Sequence, residues 1–483
     1  MSIASGSRLA VWLTGFLFYG LWLLITLRPA GMSWHDWQRA GEILLCTAAA
    51  VYLLASRAPL PFDRLSRRVL SAVTLGGLLS SALSSQPVWG LTEVALMAGC
   101  LILILATGHL RRTNGSGLDS VLVLGTTLIC SLKLFQFCTA YLLSLARGDN
   151  TIDLWRLMDG FANLRFYGQF ITLTLPLLAL PMLHAHLRQR IRIPAFFLLA
   201  SWWMLAIASG TRGTWLAMAT AMLLLALTSS TGRRWAKWQL LGALSGLGIF
   251  WLLFNIIPGW LNLEIGNHPG SRMTTSMSLR DSLWLQAWQM IKADPWLGAG
   301  PMHFATTNNG NAVHPHQALL QWMSEWGIPS ALGLSWLLWQ ATTGIWKSLR
   351  SQSTQTTPAG ILYLCLAGCL LAGLVQSMVD GIIVMPYSQL WLCLLAGWLL
   401  ALHTPEVPPA QASPMEQTAW RAGGALAATL LLMVMARDMP HLTEQQQEFR
   451  QTYGGHLMPR FWNQGLTAQG KPEIRRQYQK WEP

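Results

Sequence analysis

Two histidines flank a proline at His314-Pro315-His316, immediately before an apolar stretch long enough to enter a membrane. A neutral imidazole accepts a proton near pH 7, so a histidine at such a boundary is suited to deprotonating a hydroxyl. Proline is at home in the first turn of a helix, where its missing N–H is not needed, and that places His316 in the same first turn. A helix amino end also favours an anion beside it. Gln317, Gln321 and Ser324 follow at helical spacing as a polar stripe, and inside a span such a stripe faces protein or a wet cavity. Glu325 is nine residues from His316, roughly 13 Å along an ideal helix, too far to be its direct partner.

Three arginines supply complementary charge. Arg212 lies in a short turn between two apolar runs, within GTRGTW (Gly210–Trp215). Arg280 heads an amphipathic stretch in which Leu283, Trp284, Ala287, Trp288 and Ile291 recur at helical intervals, after Ser278 in capping-box spacing with Asp281. Arg165 stands where the chain re-enters an apolar run, in FANLRFYGQF. The planar guanidinium fork matches phosphate oxygens, so three arginines with a histidine base suit a lipid-linked pyrophosphate. Singly, each is more often an interfacial anchor or an ion-pair partner, and Asp149, Asp153 and Asp159 share a loop with Arg165. No Asp-x-Asp pair accompanies them, which favours neutralisation by arginine over a divalent cation. His268, His303, His314 and His316 lack zinc-ligand spacing; no metal and no cofactor is expected.

Composition dictates the elements that must carry these residues. The chain has 483 residues, 52% hydrophobic and 11% charged, a balance that belongs in a membrane. Apolar runs of about 17–25 residues suit a bilayer core of about 30 Å. They are expected as helices, which satisfy their own backbone polar groups in lipid, over 9–27, 41–56, 69–85, 88–107, 118–146, 166–184, 194–210, 213–230, 239–257, 318–346, 359–378 and 386–403, with a thirteenth at 420–436. The fold class is therefore an all-α polytopic membrane protein with twelve or thirteen spans and one large loop, 258–317, between the ninth and tenth. The first run ends at Leu27-Arg28-Pro29 without a small-residue cleavage site and is read as a retained span.

A net charge of +13 invites a nucleic-acid partner, but the basic residues fall in alternate loops. Arg57, Arg64, Arg67 and Arg68 share one; Arg111 and Arg112, then Arg188, Arg190 and Arg192, then Arg233, Arg234 and Lys237, then Lys347 and Arg350 occupy every second loop after it. This is the positive-inside pattern of a membrane protein. It predicts a cytoplasmic amino terminus and an external large loop, with no nucleic acid. The seven cysteines all lie in apolar runs and read as core packing. Past the multi-span domain, 1–403, come a Pro-rich linker at 404–419 and a polar tail at 437–483.

In these motifs the chain resembles the O-antigen ligase superfamily, which includes O-antigen ligases, O-antigen polymerases and bacterial protein O-oligosaccharyltransferases. The ligases carry His, then Asn, Ser or Gln, nine residues, Gly, two residues, and Gly, Thr or Tyr. Here His316-Gln317 precedes Gly327, with Ser330 at the last position. GTRGTW resembles the family's Ser-Arg-Gly-x-Trp turn with Thr211 in place of Ser, and RDSLWLQAWQMIKADPWLGAG resembles its Arg…Trp…Pro-x-x-Gly-x-Gly run.

The resemblance implies an inverting, metal-independent transfer of a glycan from undecaprenyl pyrophosphate to a hydroxyl, at the periplasmic face of a bacterial inner membrane. By position it makes His316 the base and gives Arg212 and Arg280 the pyrophosphate. Arg165 joins them from the charge reading, with His314 and Gln317 as loop-orienting residues. The acceptor read first is lipid A-core; a pilin or other protein is next, and a growing glycan third. A lipid-linked glycan transporter is the rival of another class. It predicts a repeat between halves, which this sequence lacks.

Overall fold

The apolar runs all become helices in the computed structural model, which describes residues 5–184, 187–267, 270, 280–307, 312–351, 357–403, 412–453, 460–462 and 464. In chain order they are α1 (Ser5–Leu23), α2 (Trp34–Ser56), α3 (Arg64–Leu83), α4 (Pro87–Asn114), α5 (Gly117–Arg147), α6 (Leu164–Leu178), α7 (Gln189–Ala208), α8 (Arg212–Ala226) and α9 (Ser230–Trp251). The large loop contributes α10 (Arg280–Ala293). There follow α11 (Ala318–Arg350), α12 (Pro358–Ser377), α13 (Pro386–Leu402), α14 (Pro414–Asp438) and α15 (Leu442–Tyr453). Among the described residues eight helices are long and apolar enough to cross a bilayer, and Ala10–Leu23, Arg212–Ala226 and Pro386–Leu402 are shorter apolar helices. Of the other two helices at the expected spans, α3 opens with Arg64, Arg67 and Arg68, and α11 is broken at Gly327. The chain is an all-α, multi-pass membrane protein.

Local chemistry sets where the helices begin. Ser33 and Asp36 form a capping box at α2, and the Asp63 side chain accepts from the Ser66 N–H at α3. Proline occupies the first turns of α4, α12, α13 and α14, where no helical N–H is lost. The α14 start at Pro414 takes in residues assigned to the linker from the sequence; 404–411 lie outside the described residues.

Small residues let the helices approach closely, as they do between spans generally. A Cβ on Gly397 of α13 would lie 1.9 Å from Thr107 Oγ1 of α4, and one on Gly246 of α9 would lie 2.6 Å from the Ala200 carbonyl of α7. The core is strongly aromatic: Phe170 meets Trp202 edge-on at 5.7 Å and Tyr387 at 5.3 Å between ring centroids. Trp12, Phe16, Phe135 and Leu124 are exposed on the outside of the bundle, as a lipid-facing surface requires.

Two features join segments at the end of the bundle that carries the large loop. The strands β1 (Thr151–Asp153) and β2 (Glu264–Gly266) pair in parallel with Ile152 opposite Ile265, linking the loop after α5 to the loop after α9. The tail also returns there: Phe461 and Trp462, both fully buried, pack with Ile43, Leu96 and Met302.

Candidate active site

The turn between α7 and α8 is tight because each residue of its motif has a steric or polar task. Gly210 adopts φ +63°, and the Trp215 indole N–H reaches back to the Ala206 carbonyl at 3.1 Å. Thr214 Oγ1 donates to the Gly168 carbonyl of α6 at 3.0 Å. A Cβ on Gly213 would meet the Gln376 side chain of α12 at 3.3 Å. Arg212 is thereby fixed as the first residue of α8, close to the carboxyl end of α12.

A second motif, Pro295–Gly300, clasps α11 at its break. Gly327 has φ +80° and ψ 162°, so the helix stops at Trp326 and resumes at Ile328. The Ala299 N–H donates to the Ser324 carbonyl at 2.9 Å, Gly300 N–H to Glu325 O at 3.2 Å, and Ile328 N–H to Pro295 O at 2.9 Å. These bonds satisfy backbone groups that the break would otherwise leave orphaned. Glycine is required on both sides: a Cβ on Gly327 would lie 2.2 Å from the Trp296 carbonyl oxygen, and one on Gly298 2.4 Å from the Glu325 carbonyl carbon.

Between these motifs lies the histidine loop. Trp284 of α10 donates its indole N–H to the Pro315 carbonyl at 3.1 Å. Gln317 caps α11 by accepting the Leu320 N–H on its side-chain oxygen. His314 is buried against Gly381, and its Nδ1 accepts the His316 N–H at 3.3 Å; the two imidazole rings meet edge-on at 4.2 Å. His316 has φ +55°, a left-handed conformation uncommon for a residue with a Cβ. Its Nδ1 points toward Asp380 Oδ1 at 3.9 Å, with 18% of the His316 side chain exposed. Asp380 is itself held by the Gln376 amide at 3.1 Å and the Gly381 N–H at 2.7 Å.

The charges converge on this loop. Burial lowers His316 to about 4; Asp380 opposes the shift, and Arg165 and Arg280 reinforce it. Burial, then Arg165 and Arg212, likewise hold Arg280 below its ordinary range, against Asp380. Burial and the neighbouring His316 push His314 well down. Burial and the nearby Arg165 and Arg280 thus favour the neutral imidazole of His316, one nitrogen of which is turned to a carboxylate. Such a site can accept a proton and hold an anion.

A profile of the family described as O-antigen ligase matches residues 195–335. Residues 195–335 are therefore similar to that family. That segment contains Arg212, Arg280, His314, His316 and the Gly327 break, whereas Arg165 and Asp380 lie outside it. No curated protein matches the chain.

Of the residues singled out from the sequence, Arg165, Arg212, Arg280, His314, His316 and Gln317 all come to the loop end of the bundle. Two local expectations are corrected. His316 is not in the first turn of α11: the helix begins at Ala318 with Gln317 as its cap, because the left-handed His316 turns the chain away before helical geometry starts. The 318–346 run is also two helices, divided at Gly327. Ser278, expected to cap α10, and His268 lie outside the described residues. His303 makes its contacts elsewhere, Nε2 accepting the Gln86 N–H at 3.0 Å and Nδ1 facing the Pro301 carbonyl at 2.9 Å. Among the described residues no group of three or more His, Cys, Asp or Glu side chains is arranged to hold a metal ion.

Sequence reasoning missed Asp380. It is a lone carboxylate with no motif spacing, but counting spans puts it in the turn between α12 and α13, on the same side as His316. That alternation was the available signal.

Proposed function

We propose that the protein transfers a glycan from undecaprenyl pyrophosphate to an acceptor hydroxyl at the periplasmic face of a bacterial inner membrane, with lipid A-core as the acceptor. The observation that carries this reading is the meeting of His316, Asp380 and three arginines from separate elements at one end of the bundle. In this reaction the acceptor oxygen attacks the anomeric carbon from the face opposite the pyrophosphate, so the configuration inverts as the carbon–oxygen bond to phosphate breaks. The acceptor proton passes to His316 Nε2. Asp380, facing Nδ1, stabilises the imidazolium that results; the distance exceeds a hydrogen bond, and catalytic contacts of this kind tighten when substrate binds. Arg212, Arg280 and Arg165 hold the departing pyrophosphate, whose charge their fixed guanidiniums neutralise without a metal ion. His314 and Gln317 orient the loop.

The test is in vitro transfer by purified protein, with an undecaprenyl-pyrophosphate glycan, no added metal, and rough lipopolysaccharide or a type IV pilin offered separately. Glycan on the lipopolysaccharide supports the ligase reading. Glycan on the pilin makes the protein an O-oligosaccharyltransferase. Extension of the donor itself makes it a polymerase, and donor movement across proteoliposomes without transfer makes it a transporter.

A further inference from the structure

The tail beyond α15 places an arginine in the interior of the bundle, far in sequence from everything it touches. Arg460 is 1% exposed, and its guanidinium joins Glu325 Oε1 through Nη1 and Glu93 Oε1 through Nη2, the latter at 2.6 Å. Glu325 Oε1 also accepts the Phe304 N–H at 2.9 Å, and the Glu325 carbonyl belongs to the glycine clasp. One side of Arg460 therefore grips the break in α11.

The other side leads to the turn that carries Asp380. The Arg460 carbonyl accepts from Arg39 Nη2 at 3.2 Å, and the same nitrogen donates to the Val384 carbonyl at 2.8 Å. Arg39 Nη1 donates to Gln389 at 2.7 Å and to Glu42, while its guanidinium lies 5.0 Å from the Phe461 ring centroid. Val384 closes the turn by donating its N–H to the Gly381 carbonyl at 3.0 Å, and Gly381 is the residue against which His314 packs. Arg460 thus ties α11, which follows His316, to the turn that faces it.

We infer that Arg460 is a positioning residue, and that Arg460, Phe461 and Trp462 form a plug whose insertion sets the distance between His316 and Asp380. The catalytic consequence rests on the proposed function; the positional one does not. Its logic is that a catalytic pair divided between two loops keeps its register only if something spans both. A guanidinium with two carboxylates and its own carbonyl in use does so with fixed geometry.

Three variants test this: Arg460→Lys, Arg460→Gln, and Arg460→Met with Glu93→Gln and Glu325→Gln. The last removes the whole ionic group, which leaves no buried charge unpaired and so favours folding. Each is assayed for transfer and for thermal unfolding in detergent. In parallel, His316→Cys is placed in each background and labelled with a membrane-impermeant thiol reagent, the same background retaining His316 serving to subtract the native cysteines. The expected result is a folded triple variant with kcat down about a hundredfold, the scale on which small misplacements act, donor KM unchanged, faster labelling at position 316, and partial recovery in Arg460→Lys. Folded variants with unchanged kcat and unchanged labelling overturn the inference. Failure of all three to fold makes Arg460 a structural brace and overturns it equally. If the unaltered protein transfers nothing from the pyrophosphate donor, the proposed function falls, and labelling still decides the positional claim.

Discussion

Arginines stand in two places at the loop end of the bundle, and the surroundings of Arg280 differ from those of Arg460 and Arg39. Arg460 meets Glu93 and Glu325, and Arg39 meets Glu42, so each guanidinium is matched by carboxylate within the protein. Arg280 has Arg165 and Arg212 as electrostatic neighbours, with Asp380 opposing them. The first arrangement sets three carboxylates against two guanidiniums and gains nothing from a bound anion. The second is eased by one, since an added negative charge relieves the repulsion among cations. Burial alone therefore does not single out an arginine suited to an anion; the sign of its neighbours does.

The largest effect expected from breaking this contrast is at the base. His316→Ala should abolish transfer, a loss of about 10²–10⁴-fold for a general base, with the thermal unfolding profile retained; near-normal transfer would remove His316 from the mechanism. Next comes the cation set. Arg280→Ala or Arg212→Lys should raise the donor KM by about tenfold or more, the worth of a charge-assisted hydrogen bond, and an unchanged dependence on donor concentration would count against pyrophosphate binding there.

The acid limb of the rate profile sharpens the comparison further. Because burial lowers His316 to about 4, its neutral, proton-accepting form persists through the neutral range, and kcat/KM should fall only as the pH drops toward that value. Removing a cation by Arg280→Ala makes protonation easier and should move the fall to higher pH. Asp380→Asn removes the group that favours protonation and should move it lower. Shifts of the same sign in both variants would refute the assignment. A smaller effect belongs to the clasp: Gly327→Ala should destabilise the protein by about 1–3 kcal/mol, read by thermal unfolding, from its positive φ and the nearby Trp296 carbonyl. Smallest of all, a chelator should leave transfer unchanged; inhibition reversed by a divalent metal would overturn neutralisation by arginine.

Local chemistry explains what could be read from the sequence. Apolar length located the helices, with ends that differ by several residues where polar turns extend them, as at Trp34 of α2 and Asn114 of α4. Arg165, Arg212, Arg280 and His316 drew attention because charge beside apolar sequence is costly without a purpose. What escaped depended on distance along the chain. Arg460 pairs with residues 135 and 367 positions away, and no local pattern encodes such a partner. The break in α11 was half visible: Gly327-Ile328-Pro329 is a recognisable interruption, but the opposing Pro295–Gly300 segment reveals itself only when the two backbones meet. Asp380 was hidden by its isolation in an apolar turn.

The clasp has a consequence for how freely this region can change. Its hydrogen bonds run from main chain to main chain, so most side chains on it are bystanders to its geometry. Leu297 and Ala299 should tolerate exchange for residues of similar size in a library of variants, while Gly298, Gly300 and Gly327 should return as glycine almost every time. A region held in this way can alter the surface it presents while the histidine loop beside it stays where it is.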